Sequence, residues 1–255
     1  MRIATWNING LRARLDFILI WLKARQPDVV GLQELKITDD EFPHEPFNAL
    51  GYQVHTHGQK GWNGVAVVSR IPAEIVQRGL PGQDDFGARL ITAETQNLSF
   101  TTVYCPNGKD VGHEDYARKL EWYTSLAEYW KSIDSPAAVL CGDFNIAPTA
   151  MDSWRGEKAD DAIFHTRAER ASFARLTDLG LIDLYRAHFP DEQKFSWWDY
   201  RGGAFHRNHG LRIDFVLGTD AVLQRTRAVE IDRDFRKKKE GITASDHAPV
   251  FVDLD

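Results

Sequence analysis

The segment from Pro136 to Thr149, PAAVLCGDFNIAPT, joins a short apolar run to a pair of polar side chains. Ala137 to Cys141 is an unbroken apolar run, which is typical of a strand buried on both faces. Gly142 permits a sharp change of direction, and Asp143 and Asn145 then follow two positions apart. This pattern predicts a carboxylate and an amide aimed at one point beyond the edge of a sheet. A polar turn is the alternative, because both residue types are common in loops.

The composition is that of one ordinary globular domain. The chain has 255 residues, of which 43% are hydrophobic and 27% are charged. It has no low-complexity tract, no flexible linker and no tandem repeat. We therefore expect a single domain over residues 1–255, acting as a monomer. The apolar run from Phe17 to Leu22 is far too short to cross a bilayer, so we expect no membrane partner.

The net charge and the cysteine content restrict the kinds of binding partner and the cellular compartment that we expect. The formal net charge is −6, which argues mildly against a protein that holds nucleic acid by bulk electrostatics. A gathering of carboxylates at a metal site also produces an acidic total. The basic run Arg233–Lys239 stands apart from this average. Cys105 and Cys141 adjoin apolar runs, so we expect buried free thiols and a cytoplasmic location.

Hydrophobic patterns predict strands that alternate with helices. Besides the strand before Asp143, the predicted strands are Arg2–Asn7, Asp28–Gln33, Asn63–Ser69, Leu90–Glu94, Leu98–Tyr104, Leu211–Leu217 with one polar face, and Pro249–Leu254. The predicted helices are one capped by Asp16, Glu114–Lys131 and Ala168–Leu179. Because the helices fall between strands, the chain is expected to form α/β layers, with two packed sheets flanked by helices.

Polar side chains recur where the predicted strands end. They are Asn7, Glu34, Tyr104, Asp143 with Asn145, and Asp246 with His247. If the strands before Asn7 and Glu34 lie parallel, joined by the helix between them, both side chains project from the same edge. Five separate segments that end in this way predict one site at an edge of the sandwich.

The residue types at these strand ends favour a hard cation. Carboxylate and amide oxygens predominate without a Cys–His cluster, which favours Mg²⁺ over Zn²⁺, with Mn²⁺ as an alternative ion. Glu34 is the best first ligand, supported by Asn7. Asp214 is the candidate to orient His247. Such a set suits metal-assisted attack of water on a phosphodiester, in which Asp143 orients or deprotonates the water.

Seven motifs follow one another along the chain. They are WNING with Asn7, LQELK with Glu34, VYCPNG with Tyr104, GDFNIAPT with Asp143 and Asn145, FSWWDYR with Trp197, LRIDF with Asp214, and SDHAPV with His247. Together they closely resemble the exonuclease III family of apurinic/apyrimidinic endonucleases, over essentially the whole chain. GDFN or SDHAPV alone would mark only the wider endonuclease/exonuclease/phosphatase superfamily. The other motifs are typical of its DNA-repair branch.

The resemblance implies a four-layered α/β sandwich that cuts duplex DNA 5′ to an abasic site with the help of Mg²⁺. It also implies 3′–5′ exonuclease activity and phosphatase activity on blocked 3′ ends. By matching position, the catalytic residues would be Tyr104, Asp143, Asn145, Asp214 and His247. The metal ligands would be Glu34 with Asn7 and, at a second position, Asp143, Asn145, Asp246 and His247. Contacts to DNA, including the pocket for the abasic sugar, would come from Lys36, Asn107, Trp197, Leu211 and Ile213.

Two positions depart from parts of the family, and two other functions are open. Asn9 stands where some branches carry Asp, and Leu211 stands where other members carry an aromatic residue. A phosphoinositide phosphatase or a sphingomyelinase would keep the catalytic edge, but such enzymes usually carry larger insertions than this chain has room for. A DNA-binding protein without catalysis is the third alternative, although every matched position retains its polar group.

Overall fold

A computed structural model describes every residue from Met1 to Asp255 and contains twelve strands and six α-helices. The strands are β1 (Arg2–Asn7), β2 (Val29–Gln33), β3 (Gln53–His57), β4 (Val65–Ser69), β5 (Glu74–Arg78), β6 (Leu90–Thr95), β7 (Leu98–Tyr104), β8 (Ala138–Asp143), β9 (Ile182–Asp183), β10 (Asp214–Gly218), β11 (Thr226–Ile231) and β12 (Val250–Leu254). The helices are α1 (Leu11–Arg25), α2 (His44–Asn48), α3 (Glu114–Lys131), α4 (Arg167–Thr177), α5 (Leu184–His188) and α6 (Asp220–Arg225). None of these helices combines the length and the hydropathy that crossing a bilayer requires.

The strands form two mixed sheets of six strands each. The first sheet has the order β11-β12-β1-β2-β4-β3, and the second has the order β5-β6-β7-β8-β10-β9. Only the pairs β1–β2 and β7–β8 are parallel. Each of these pairs is joined by a long helix, α1 or α3, because parallel neighbours need a crossover connection.

Three hydrophobic clusters separate the elements into four layers. The central cluster, which contains Val67 and Val139, lies between the two sheets. A second cluster packs α1 on the first sheet through Trp6 and Trp21. A third packs α3 and α4 on the second sheet around Trp122. The predicted four-layered α/β sandwich of two packed sheets flanked by helices is therefore confirmed.

The prediction that Asp16 caps the first helix is wrong. Helix α1 begins five residues earlier, at Leu11. Gly10 precedes it with a φ of 100°, a conformation that glycine adopts without strain. The backbone N–H of Leu11 is bonded to the carbonyl of Leu35 at 3.1 Å. A tertiary contact therefore holds the start of this helix, where no capping side chain is present.

Gly142 has a different role from the predicted change of direction. Strand β8 continues through it to Asp143. A Cβ atom at this position would lie 1.9 Å from the carbonyl oxygen of Val103 on the neighbouring strand β7. Glycine is required because two parallel strands approach closely here, immediately before the residue that enters the site.

The predicted polar face of Leu211–Leu217 is buried. The regular strand β10 begins only at Asp214, and all five of its residues are buried. Arg212 is 2% exposed and forms ion pairs of 2.7 Å with both Asp152 and Asp183. The polar residues of this alternating pattern are thus buried, and Arg212 among them is held by an ionic cluster instead of by solvent.

Candidate active site

The strand directions explain why polar ends from both sheets reach one edge. Because β1 and β2 are parallel, Asn7 and Glu34 leave the first sheet at the same end. In the second sheet the parallel pair β7–β8 places Tyr104 opposite Asp143. Strand β10 runs antiparallel to β8, so its first residue, Asp214, also pairs with Asp143.

The segment before β12 reaches the same edge. Strand β12 is antiparallel to β1, so the residues that precede it return to the end of β1. The hydroxyl of Ser245 donates to the carbonyl of Asn7 at 2.7 Å, and the indole of Trp6 donates to the carbonyl of His247 at 3.1 Å. These bonds fix His247 beside the strand end that carries Asn7.

Asp143 occupies the centre of the cluster and is 1% exposed. Nδ2 of Asn7 donates to Oδ2 of Asp143 at 2.8 Å and to Oε1 of Glu34 at 2.9 Å. The backbone N–H of Asn145 donates to Oδ1 of Asp143 at 2.9 Å. Nε2 of His247 lies 3.9 Å from Oδ2 of Asp143. The carboxylates of Glu34 and Asp143, which come from different sheets, therefore share the amide nitrogen of Asn7, and the imidazole of His247 also lies beside Asp143.

His247 is oriented by a buried carboxylate. Its Nδ1 lies 2.9 Å from Oδ2 of Asp214, and the hydroxyl of Ser196 donates to that oxygen at 2.6 Å. Nδ1 therefore carries a proton, and Nε2 faces Asp143. Burial alone would lower the pKa of His247, but the carboxylates of Asp214 and Asp143 outweigh it and raise this pKa to about 10. Burial raises the pKa of Asp143 to about 7, and the imidazole opposes that shift.

The donor set fits a hard divalent cation. One ligand atom each from Asp143, Asp214 and His247 lies within 4.8 Å of the others. Asp214 already accepts hydrogen bonds from His247, so Asp143 and the nearby Glu34 are the better carboxylate ligands. No thiolate is present, and oxygen ligands suit Mg²⁺ or Mn²⁺. Asn7 turns its nitrogen toward both carboxylates, so in this orientation it supports them rather than offering its own oxygen.

A chain of polar contacts connects Glu34 to Trp197. Nζ of Lys36 lies 2.8 Å from Oε2 of Glu34 and donates to Oδ1 of Asn9 at 2.7 Å. Nδ2 of Asn9 donates to Oδ1 of Asp246 at 2.9 Å, and the indole of Trp197 donates to Oδ2 of Asp246 at 3.0 Å. Both oxygens of Asp246 are thus engaged. The neutral Asn9 suits this place because it accepts from a cation and donates to a carboxylate.

Tyr104, Asn107 and Asn145 form the opposite side of the cluster. Nδ2 of Asn107 donates to Oδ1 of Asn145 at 3.4 Å. Burial and the carboxylate of Glu34 raise the pKa of Tyr104, whose hydroxyl therefore stays protonated. The guanidinium of Arg89 lies 4.8 Å from the centre of the Tyr104 ring. A cleft of about 520 Å³ is lined by Arg89, Tyr104 and Asn107. The positively charged guanidinium of Arg89 therefore lies next to the cluster.

The structure brings together two of the three residues predicted to form the sugar pocket. Trp197 and Leu211 pair through their backbones and line one cavity of about 400 Å³. Ile213 is 3% exposed and is not among the residues that line this cavity. Its carbonyl accepts the backbone N–H of Phe144 at 2.8 Å, so it contacts the chain just after Asp143 instead.

Sequence reasoning missed three residues that support the cluster. Ser196 donates to Asp214, Arg89 lies against Tyr104, and Lys119 lies beneath the loops that carry Asn107 and Asn145. Ser196 is adjacent to Trp197 in FSWWDYR, and that motif was the only available signal for it. Arg89 and Lys119 lie outside the quoted motifs, and basic residues at such positions are usually solvated.

Lys119 and Glu169 form a fully buried ion pair under the site. Nζ of Lys119 lies 2.5 Å from Oε1 of Glu169 and donates to the carbonyl of Asn145 at 2.7 Å and to that of Asn107 at 3.2 Å. Burial lowers the pKa of Lys119, and the carboxylate of Glu169 opposes that shift. The pair thus joins helices α3 and α4 to two loops of the candidate site.

Replacing Lys119 with Met is expected to lower the free energy of unfolding by about 3–5 kcal/mol, because Glu169 would remain buried without its partner. Urea denaturation followed by circular dichroism measures this loss. Lys131→Met is the matched control, since Lys131 forms an exposed pair with Glu128 and should change stability by at most about 0.5 kcal/mol. Equal losses in the two variants would contradict a structural role for the buried pair.

Comparison with known proteins gives the same family throughout. Residues 4–247 match the model of the endonuclease/exonuclease/phosphatase family. The chain is 37% identical over 269 aligned positions to exodeoxyribonuclease III of Haemophilus influenzae, and the alignment covers all of both chains. It superposes on the 3′ phosphatase NExo from Neisseria, solved with a product DNA hairpin, with a TM-score of 0.96, 37% identity and coverage of 100% and 99%. It superposes on an AP endonuclease from Archaeoglobus fulgidus with a TM-score of 0.95, 34% identity and the same coverage.

Proposed function

Because this chain belongs to the endonuclease/exonuclease/phosphatase family and is a DNA-repair nuclease of its exodeoxyribonuclease III/AP endonuclease branch, we propose that it hydrolyses the phosphodiester 5′ to abasic sites in duplex DNA. We propose further that it removes nucleotides and blocking phosphates from 3′ ends. Relatives described as an exodeoxyribonuclease, a 3′ phosphatase and an AP endonuclease support these activities. All three bear on a single chemical step, the hydrolysis of a phosphate ester on DNA.

One observation carries this proposal. Oδ2 of Asp143 lies between Nδ2 of Asn7, at 2.8 Å, and Nε2 of His247, at 3.9 Å. Glu34 shares the same Asn7 nitrogen, and Asp214 holds the far side of the imidazole. Asp143 as the base, Glu34 as a cation ligand and His247 as a proton donor thus lie close enough to act on one phosphate group. Hydrolysis of a phosphate ester requires such an arrangement.

Each residue of the cluster has a role that follows from its protonation and position. Asp143 takes the proton of the attacking water, because it is the carboxylate in the middle of the group. His247 donates to an oxygen of the phosphate through Nε2 and is kept cationic by Asp214. The neutral hydroxyl of Tyr104 donates to the phosphate or to the leaving oxygen. Asn145 supports Asp143, because its Nδ2 donates to the carbonyl of Cys105 at 3.0 Å and to Oδ2 of Asp143 at 3.4 Å, and it contacts the phosphate only if one of these bonds is exchanged.

Glu34 and Asp143, with Asn7 in support, are the residues proposed to hold Mg²⁺, for which Mn²⁺ can substitute. When bound, the ion supplies charge neutralisation at the phosphate oxygens and at the leaving oxygen. Lys36, which itself donates to Asn9, and Asn7 contact the two oxygens of Glu34 and orient its carboxylate. Asp246 is the candidate ligand for a second ion, and Asn9 and Trp197 donate to its two oxygens, much as Asn7 and Lys36 contact those of Glu34.

The proposal is tested with a labelled duplex that contains a single abasic site. With Mg²⁺ we expect scission 5′ to the lesion, and a chelator is expected to abolish it because the carboxylate cluster then lacks its cation. Added Mg²⁺ or Mn²⁺ in excess of the chelator should restore the product. Duplexes with a recessed 3′ end and with a 3′-phosphate are assayed in parallel. Absence of scission on all three substrates with either ion would refute the proposed function.

We also propose that the chain acts as one domain over residues 1–255 and as a monomer. The central hydrophobic cluster draws on both sheets, which supports the single domain. Cys105 and Cys141 are free and buried, as expected. Free thiols are typical of a reducing compartment, so we propose a cytoplasmic location. The relatives include an exodeoxyribonuclease and an AP endonuclease, which favours this function over a lipid or inositol phosphatase of the same superfamily.

A further inference from the structure

A cavity of about 400 Å³ opens next to the catalytic edge. Trp197 connects the two, because its indole donates to Asp246 and its backbone pairs with that of His247. The volume falls within the roughly 300–1,000 Å³ that is typical of pockets for ligands of drug size. A deoxyribose without its base is smaller than such a ligand. The cavity therefore has room for more than the baseless sugar.

One wall of this cavity is a stacked aromatic pair. The rings of Trp154 and His209 lie 3.9 Å apart and only 8° from parallel. The backbone N–H of Trp154 is bonded to the carbonyl of Gly210 at 3.1 Å, and Ser153 pairs with Leu211. The chain on both sides of the stack is thus tied to the segment that carries Leu211, which holds the wall rigid against the pocket.

Trp154 keeps a large apolar surface in contact with solvent. It is 41% exposed although His209 covers one of its faces. Most exposed apolar residues need no explanation, but an indole held in a fixed orientation at the mouth of a cavity is a candidate contact surface. An aromatic face binds any nucleobase by stacking, without reading its sequence.

The charges around this wall also suit a nucleotide. Arg155 and Arg207 line the cavity and form no ion pair, whereas the nearby Arg201 is paired with Asp199 at 2.8 Å. The guanidinium carbon of Arg155 lies over the Trp154 ring, 5.2 Å from the ring centre, so this side chain would move aside when a base stacks there. Unpaired cations next to an aromatic platform are the combination by which proteins hold single nucleotides or unpaired strands.

We propose that Trp154, backed by His209, is the platform on which the base of the 3′-terminal nucleotide stacks. The pocket then takes a terminal residue that retains its base as well as one that has lost it. Trp154 acts on substrate selection and does not touch the reacting phosphate. This inference rests on the proposed function, because it assigns a residue to the recognition of DNA ends at the same site.

The test compares two duplexes that differ only in the last residue of a recessed 3′ end, which is either thymidine or an abasic tetrahydrofuran. Trp154→Ala is expected to lower kcat/KM for removal of thymidine by about 5- to 150-fold, the usual effect of losing one base–aromatic stack. Removal of the tetrahydrofuran residue should change less than about threefold, because it has no base to stack. Trp154→Phe keeps an aromatic face and should retain most of the thymidine activity.

Two controls separate stacking from damage to the fold. Phe189→Ala removes another partly exposed aromatic ring, which does not line the cavity, and should leave the ratio of the two rates unchanged. A duplex with 2-aminopurine as its 3′-terminal base, added in the presence of a chelator, reports binding without turnover. Its fluorescence should be quenched by the wild-type protein and by Trp154→Phe, and much less by Trp154→Ala.

The outcomes distinguish this inference from the proposed function. If the wild-type protein cleaves neither duplex and no abasic-site substrate, the proposed function fails. If the wild-type protein is active but Trp154→Ala lowers both rates equally, Trp154 contacts the DNA elsewhere and the inference is overturned. An unchanged or increased rate of thymidine removal in Trp154→Ala overturns it as well.

Discussion

Replacing Asp143 with Asn is expected to lower the turnover number on abasic-site DNA by about 10²- to 10⁴-fold, which is the usual contribution of a positioned general base. Asn is nearly isosteric, and its side-chain oxygen can still accept the backbone N–H of Asn145. It cannot accept a proton from water, and it gives a cation no negative charge. Single-turnover rates with saturating enzyme measure the loss apart from DNA binding.

The fold should tolerate this substitution. Burying a carboxylate disfavours the charged form, which is the cause of the raised pKa of Asp143. The amide nitrogen of the variant would face one of the two donors to Asp143, Nδ2 of Asn7 or the N–H of Asn145, which offsets this gain. The melting temperature should therefore stay close to that of the metal-free wild-type protein. Asp28→Asn is the matched control, because Asp28 lies just before β2, at the opposite end of that strand from Glu34, and pairs with Arg70. A turnover number for Asp143→Asn within threefold of the wild-type value would exclude Asp143 from the chemistry.

The layered fold could be predicted because long apolar runs dominate it. Helix α3 has the predicted bounds, Glu114–Lys131, because its amphipathic face spans five turns. The run ending at Cys141 formed the central strand β8 for the same reason. Short edge strands such as β5 and β9 were not predicted. Their residues are partly exposed, and their pairing is decided by their neighbours rather than by their own sequence.

The candidate site could be predicted only as a set of strand ends. Motif order indicated that Glu34 and His247 belong together, but it could not show that a single amide of Asn7 joins Glu34 to Asp143 across the two sheets. The left-handed backbone of Glu34, with a φ of 57°, is also invisible in the sequence. Such a conformation is disfavoured for a side chain with a Cβ, and the surrounding contacts must maintain it.

The burial of charged side chains with distant partners was the other feature that the sequence did not predict. Arg212 was predicted only as part of a polar strand face, and the sequence did not show that this face is buried, with Arg212 in an ionic cluster with Asp152 and Asp183. Lys119 is likewise buried beneath the loops of the site. A charged residue within an alternating pattern looks the same in sequence whether water or a distant carboxylate surrounds it. Only the tertiary packing of elements more than 25 positions apart decides between the two.

Replacing His247 with Ala is the second change expected to have a large effect, about 10²- to 10³-fold on the turnover number, which is the usual loss for one donor to a transition-state oxygen. The imidazole faces the site through Nε2, while Nδ1 is bonded to Asp214. Asp214→Asn should cause a smaller loss, because the ring remains but its cationic form loses the carboxylate that stabilises it. Rapid-quench kinetics on the abasic duplex measures both.

The combination of the two changes tests whether they act as a unit. If Asp214 works only through His247, the double variant His247→Ala/Asp214→Asn should be no slower than His247→Ala alone, since effects within one catalytic unit are not additive. His44→Ala, a substitution of an exposed histidine at the start of α2, controls for the loss of any imidazole. Fully multiplicative losses would mean that Asp214 acts on the substrate independently. Its bond to His247 would then be structural, and the carboxylate would have to be assigned directly to the cation, for which its distance from Asp143 is suitable.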